Sequence, residues 1–206
     1  MTSGKPPASG RQRPGSPIPN LVTALRLVLL GPILALIAWG KAPGAYRAAF
    51  VLLLAAGASD ALDGWLARRL GATSPVGVFF DPLADKILAN VLLVFLAVTA
   101  PRWVSPWLVM LLLAREFAVQ GFRSMAPCKG VVLRTRMANK VKFCLQFAAL
   151  AFTLAGLGWS GAEGAMRLLA GLSLWLAVFA AYGSMARLFW LNRDLWSRPP
   201  AALEER

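Results

Sequence analysis

The chain has 206 residues, with 22 Lys plus Arg against 9 Asp plus Glu, a net charge of +13, no histidine and an apolar share of 58%. Such an apolar share excludes a disordered basic chain and argues against a soluble nucleic-acid binder. The missing histidine excludes Ser-His-Asp and Cys-His catalysis and every His-containing metal site, while Cys128 and Cys144 are too few for a disulfide scaffold.

Residues 1–18 are rich in Gly, Pro and Ser and carry three positive charges. They read as a disordered tail, and without an apolar core they do not form a cleaved signal peptide. Apolar segments follow at 21–40, 48–59, 87–101, 103–114, 143–162 and 168–186. A membrane-spanning helix needs about 20 largely apolar residues. The first, fifth and sixth segments reach that length directly, and the other three reach it by running on into charged residues. The prediction is an all-α integral membrane bundle of six transmembrane helices over 19–192, with a second tail at 193–206.

Six spans place both termini on one side. Lys and Arg then divide 18 to 4: residues 1–26, 60–86, 115–142 and 187–206 hold 4, 3, 7 and 4, against Lys41, Arg47, Arg102 and Arg167 opposite. By the positive-inside rule the richer side, with both tails, faces the cytoplasm, as in a multi-pass protein of the cell inner (plasma) membrane. Much of the +13 is then topology and attraction to anionic lipid.

The acids are few and placed together. Before Arg115 they are Asp60, Asp63, Asp81 and Asp85. Acids in membrane segments are costly and mark function by default. Asp60 and Asp63 are i, i+3 on one helix; Asp81 and Asp85 are i, i+4 on the next. In an antiparallel hairpin the two pairs converge at its cytoplasmic mouth. Two carboxylates at 4 Å repel by about 4 kcal/mol at an effective dielectric of 20, and divalent cations relieve this. All-oxygen ligands favour Mg²⁺, Mn²⁺ or Ca²⁺. Gly64 clears space beside Asp63, and Arg68 offers a planar fork to phosphate. Gly71, Pro75 and Gly77 mark the connecting loop, and Pro82 suits the first turn of the third helix. Taken singly these residues have plainer readings: Asp81 as a helix cap, Asp85 and Lys86 as solvated interface residues, Arg68 and Arg69 as topological charge.

The run from Asp60 to Asp85 reads D-x2-D-G-x2-A-R-x8-G-x3-D-x3-D. It resembles the signature of the CDP-alcohol phosphatidyltransferases, and eight fixed positions across 26 residues all match. The resemblance implies that Asp60, Asp63, Asp81 and Asp85 surround two divalent cations, Mg²⁺ or Mn²⁺, which hold the pyrophosphate of a CDP-linked lipid. It implies that Gly64, Ala67, Arg68 and Gly77 help form the CDP site. It also makes Asp85 the general base toward the acceptor hydroxyl, with CMP leaving after in-line attack. A homodimer is the family expectation.

Residues 115–142 carry seven Lys/Arg and one acid, Glu116. That suits an acceptor with its own phosphate, and equally an ordinary positive-inside loop. Pro19-Asn20-Leu21-Val22-Thr23-Ala24-Leu25-Arg26 resembles the opening shared by the branch that uses glycerol 3-phosphate and by cardiolipin-forming members. Arg115-Glu116 with Arg123, and Lys140-Val141-Lys142 with Gln146, resemble stretches of the glycerol 3-phosphate branch, although Asn139 and Phe143 depart from its pattern. The expected acceptor-phosphate residues are therefore Arg115, Arg123, Lys140 and Lys142, with Glu116 orienting Arg115 or forming a structural pair. The expected partners are CDP-diacylglycerol, glycerol 3-phosphate and membrane lipids, with no nucleic acid. Phosphatidylglycerol, inositol phosphate and serine are the alternative acceptor classes. A cation channel lined by the four Asp is the alternative outside enzymology, but it does not require Gly64, Arg68 and Gly77, and it predicts acids spread through the membrane depth.

Overall fold

The computed structural model of the chain describes residues 18–40, 42–70, 75–128 and 137–193, with side chains for 26–40, 42–59, 86–126 and 140–193. Among the described residues there are six α-helices and no strand: α1 Ile18–Trp39, α2 Pro43–Leu70, α3 Pro75–Thr99, α4 Pro106–Cys128, α5 Met137–Gly158 and α6 Glu163–Leu191. Three of them open on proline, whose missing N–H costs nothing in the first turn. Gly161, at φ 106°, makes the turn between α5 and α6, a backbone conformation that suits glycine.

The helices outrun their apolar segments. Residues 60–70 continue α2, and α3 already starts at Pro75. Pro75 and Gly77, expected in the loop, thus stand in the first turn of α3, and Pro82, expected in that turn, lies deeper inside the helix. Much of the expected 115–142 loop is also helix, since α4 runs on to Cys128 and α5 opens at Met137. Arg, Glu, Gln, Ala and Met sustain a helix well, and α4 meets no proline after its first residue until Pro127.

Helix α1 packs on α2 and α3, α5 packs on α6 and α2, and α4 packs on α6 and α3. Ile33, Leu53, Leu92, Leu96, Leu150 and Leu174 fill the shared core. At one end, Arg47 Nε donates to the Gly158 carbonyl at 2.7 Å, and its guanidinium lies 5.5 Å from the centre of the Trp159 ring. Phe50 meets that ring edge-on at 5.4 Å. These contacts pin the start of α2 to the α5–α6 turn.

At the same end a β-carbon on Gly156 would overlap the Trp103 ring and come within 2.9 Å of Met166 Cβ. Gly156→Val is therefore expected to cost about 1–3 kcal/mol by overpacking. Thermal melting in detergent, followed by tryptophan fluorescence, checks this; an unchanged melting temperature would show that the helices part freely there.

The distribution of side chains inverts that of a water-soluble protein. Trp39, Val98, Trp107, Phe117, Phe179 and Trp190 are exposed, whereas Arg26, Arg115, Glu116, Lys142 and Gln146 are buried. Hydrocarbon tolerates the first set outside, and protein partners must satisfy the second set inside. Among the residues with described side chains, Lys140–Gly158 and Glu163–Leu191 are long and apolar enough to cross a bilayer, and Arg26–Trp39 and Lys86–Thr99 are apolar stretches of α1 and α3.

Candidate functional site

The sequence singles out two groups of residues. The first is the acidic signature. Asp60, Asp63, Gly64, Ala67 and Arg68 lie on the last part of α2; Gly77, Asp81 and Asp85 lie on the first part of α3. The backbone thus sets the two carboxylate pairs at the joined ends of consecutive helices, with only residues 71–74 between them. The side chains of this group lie outside the described residues. Among the described residues there is no cluster of three or more Asp, Glu or Cys able to hold a metal.

The second group is basic, and its side chains are described. Glu116 on α4 is its centre. Oε1 accepts from Arg115 Nη1 at 3.0 Å and from Lys142 Nζ, which arrives from α5. Oε2 faces Lys86 Nζ, from α3, at 3.4 Å. Arg115 reaches α6 as well: Nε donates to the Ala181 carbonyl at 3.0 Å and Nη2 to Ser184 Oγ at 2.6 Å. Ser184 Oγ in turn donates to that same carbonyl at 2.8 Å. One carboxylate and one guanidinium therefore join α3, α4, α5 and α6. One helical turn further along α3 and α5, Gln146 Nε2 donates to Asn90 Oδ1 at 3.4 Å.

Burial explains why these partners are needed. Arg115 is 3% exposed and Lys142 4%. An ionised group so far from water persists only when paired and hydrogen-bonded. Arg123, further along α4 and half-buried, is close enough to Arg115 and Glu116 to interact with both charges. Lys86, Arg115, Arg123 and Lys142 together outweigh the one carboxylate, so the cluster keeps a positive excess suited to an anion.

The candidate residues do not all meet. Arg115, Arg123 and Lys142 share one region with Glu116. Lys140 is exposed, and two residues on a helix place it about 200° around α5 from buried Lys142. Arg115 already commits three of its five N–H groups to protein oxygens, which makes it as much a brace as a ligand. Lys86, Asn90 and Ser184 escaped the sequence reading as site residues. For Lys86 and Asn90 a signal existed, since their i, i+4 spacing faces the Lys142/Gln146 pair at the same spacing. Ser184 carried no such signal.

A cavity of about 410 Å³ lies between α1, α2, α3 and α5. Arg26, Leu54, Gly57, Leu88, Phe143 and Phe147 line much of it. Ala56, Gly57 and Ala58 on its wall stand within one turn of Asp60.

Comparisons with known proteins give the family. Residues 17–183 match the family model described as CDP-alcohol phosphatidyltransferase. A CDP-diacylglycerol–glycerol-3-phosphate 3-phosphatidyltransferase of Bacillus subtilis is 34% identical over 177 residues, covering 79% of this chain and 88% of that protein. One of the same name from Cereibacter sphaeroides is 33% identical, covering 73% and 68%. A CMP-forming cardiolipin synthase of Oryza sativa is 31% identical, covering 69% of this chain and 48% of its own length.

Proposed function

The chain belongs to the CDP-alcohol phosphatidyltransferase family, and from that premise we propose that it transfers a phosphatidyl group from CDP-diacylglycerol to glycerol 3-phosphate, giving phosphatidylglycerophosphate and CMP. The observation that carries the choice of acceptor is the buried pair of cations, Lys142 and Arg115, held on Glu116, with half-buried Arg123 further along α4, because an acceptor with its own phosphate needs a cationic seat.

The donor set of the acidic signature is all oxygen, which fits two hard divalent cations, Mg²⁺ or Mn²⁺. Asp60, Asp63, Asp81 and Asp85 would hold them. When bound, such ions neutralise the pyrophosphate and stabilise the charge that develops on the leaving oxygen. The chain's own residues do the rest. Gly64, Ala67, Arg68 and Gly77 seat the CDP group. Arg26 and the apolar cavity wall suit the boundary of the donor lipid, where chains meet phosphate. Lys142 and Arg123 orient the acceptor phosphate, with Arg115, on α4, braced against α6. Asp85 takes the proton of the acceptor hydroxyl as its oxygen attacks the lipid-side phosphorus; the bond to the CMP oxygen breaks.

This reading places six spans in the cell inner membrane with the site toward the cytoplasm. The apolar exterior and the 18-to-4 partition of basic residues support it. A homodimer is part of the proposal on family grounds.

The test is CMP release from CDP-diacylglycerol by the purified full-length protein across a panel of alcohols. Glycerol 3-phosphate is expected to be the best acceptor. Chelation with EDTA is expected to stop release, and excess Mg²⁺ or Mn²⁺ to restore it. Release with phosphatidylglycerol but not glycerol 3-phosphate would move the protein to the cardiolipin-forming branch, the reading that the Oryza sativa relative favours. No release with any alcohol would end the transferase reading.

A further inference from the structure

Lys86 follows Asp85 on α3, and beyond adding one charge to the basic cluster it has no task in the proposed transfer. Its Nζ stands 3.4 Å from Glu116 Oε2, while the other oxygen of Glu116 holds Arg115 and Lys142. We infer that Lys86 is a positioning residue: through Glu116 it fixes the rotation of α3, and with it Asp85, relative to the acceptor-phosphate cations. The inference rests on the transferase reading and deepens it.

A helix with its side chains has a radius of about 5–6 Å, so a rotation of roughly 10° moves a group at its rim by about 1 Å. A displacement of about 1 Å between reacting groups can cost about a hundredfold in rate. Something must therefore set the phase of α3. Asn90 and Gln146 tie α3 to α5 one turn further from Asp85. Among the described residues Lys86 is the tie nearest to Asp85, and it lies on the same face of α3 as Asn90.

Exposure separates this role from plain stabilisation. The Lys86 side chain is 35% exposed, against 5% for Lys142. Ion pairs so open to solvent contribute little to folding. Loss of the Lys86 tie should therefore register in alignment rather than in stability.

The experiment is a double-mutant cycle on the full-length protein with Lys86→Met, Glu116→Gln and the pair. It reads kcat, both KM values and the melting temperature. Lys86→Met is expected to lower kcat tenfold or more, with both KM values within threefold and melting within a few degrees of wild type. Lys86→Arg should recover most of kcat. The double variant should be no slower than Glu116→Gln alone, because Lys86 acts through Glu116. Three results would overturn the inference: Lys86→Met within twofold of wild-type kcat, an acceptor KM that rises as far as kcat falls, or losses that multiply in the double variant. Any of these with an active wild type rejects the positioning role alone. A wild type that releases no CMP with any alcohol rejects the transferase reading, and the inference with it.

Discussion

Asp85→Asn is expected to lower CMP release by at least about 10²–10⁴-fold, the usual contribution of a general base. The substitution keeps the size and one oxygen of the side chain and removes its capacity to take a proton. It also removes a negative ligand from the acidic signature, which adds to the loss. Binding of the CDP-linked lipid should persist, because Asp60, Asp63 and Asp81 remain. Replacing any of those three with Ala should weaken lipid binding and turnover together. The discriminating measurement pairs turnover with binding of CDP-diacylglycerol in detergent at fixed Mn²⁺. Near-full turnover in Asp85→Asn would show that another group takes the proton.

Lys142→Ala is expected to raise the KM for glycerol 3-phosphate about 10- to 100-fold, while the KM for CDP-diacylglycerol changes little. A hydrogen bond to a charged group contributes about 1.5–3 kcal/mol, which sets that range. The position is costly for a second reason. Lys142 is buried against Glu116, and removing one member of such a pair leaves the other uncompensated. Lys142→Met, which keeps much of the apolar stem, separates the lost ligand from the lost packing: if phosphate contact is the cause, both variants show the same KM. Lys140→Ala supplies the contrast, since Lys140 is exposed and turned away from Lys142. Its acceptor KM should stay within about twofold. Equal effects at 140 and 142 would mean that the basic charge acts as a diffuse field rather than a seat.

Reading order along the chain goes far for this protein because its local chemistry is strongly marked. Apolar runs of spanning length and eight fixed residues from Asp60 to Asp85 are properties of neighbours in sequence. The ends of the helices were less legible. Residues 115–128 read as a loop by charge, yet they extend α4, since helix propensity and backbone hydrogen bonding continue where apolarity stops. Charge marks where the apolar layer ends, and it does not mark where a helix ends.

The sequence by itself determined the helical class, the apolar bundle and the oxygen-rich signature that names the reaction class, because each rests on spacing within one or two helices. Only the tertiary structure decided how the basic residues sort. It gathered Lys86, Arg115 and Lys142 around Glu116, left Lys140 exposed, and engaged Arg115 with Ser184, 69 positions away. The reason is that a charge buried in an apolar bundle must find its partner on whichever helix packs beside it, and packing between helices has no period along the chain.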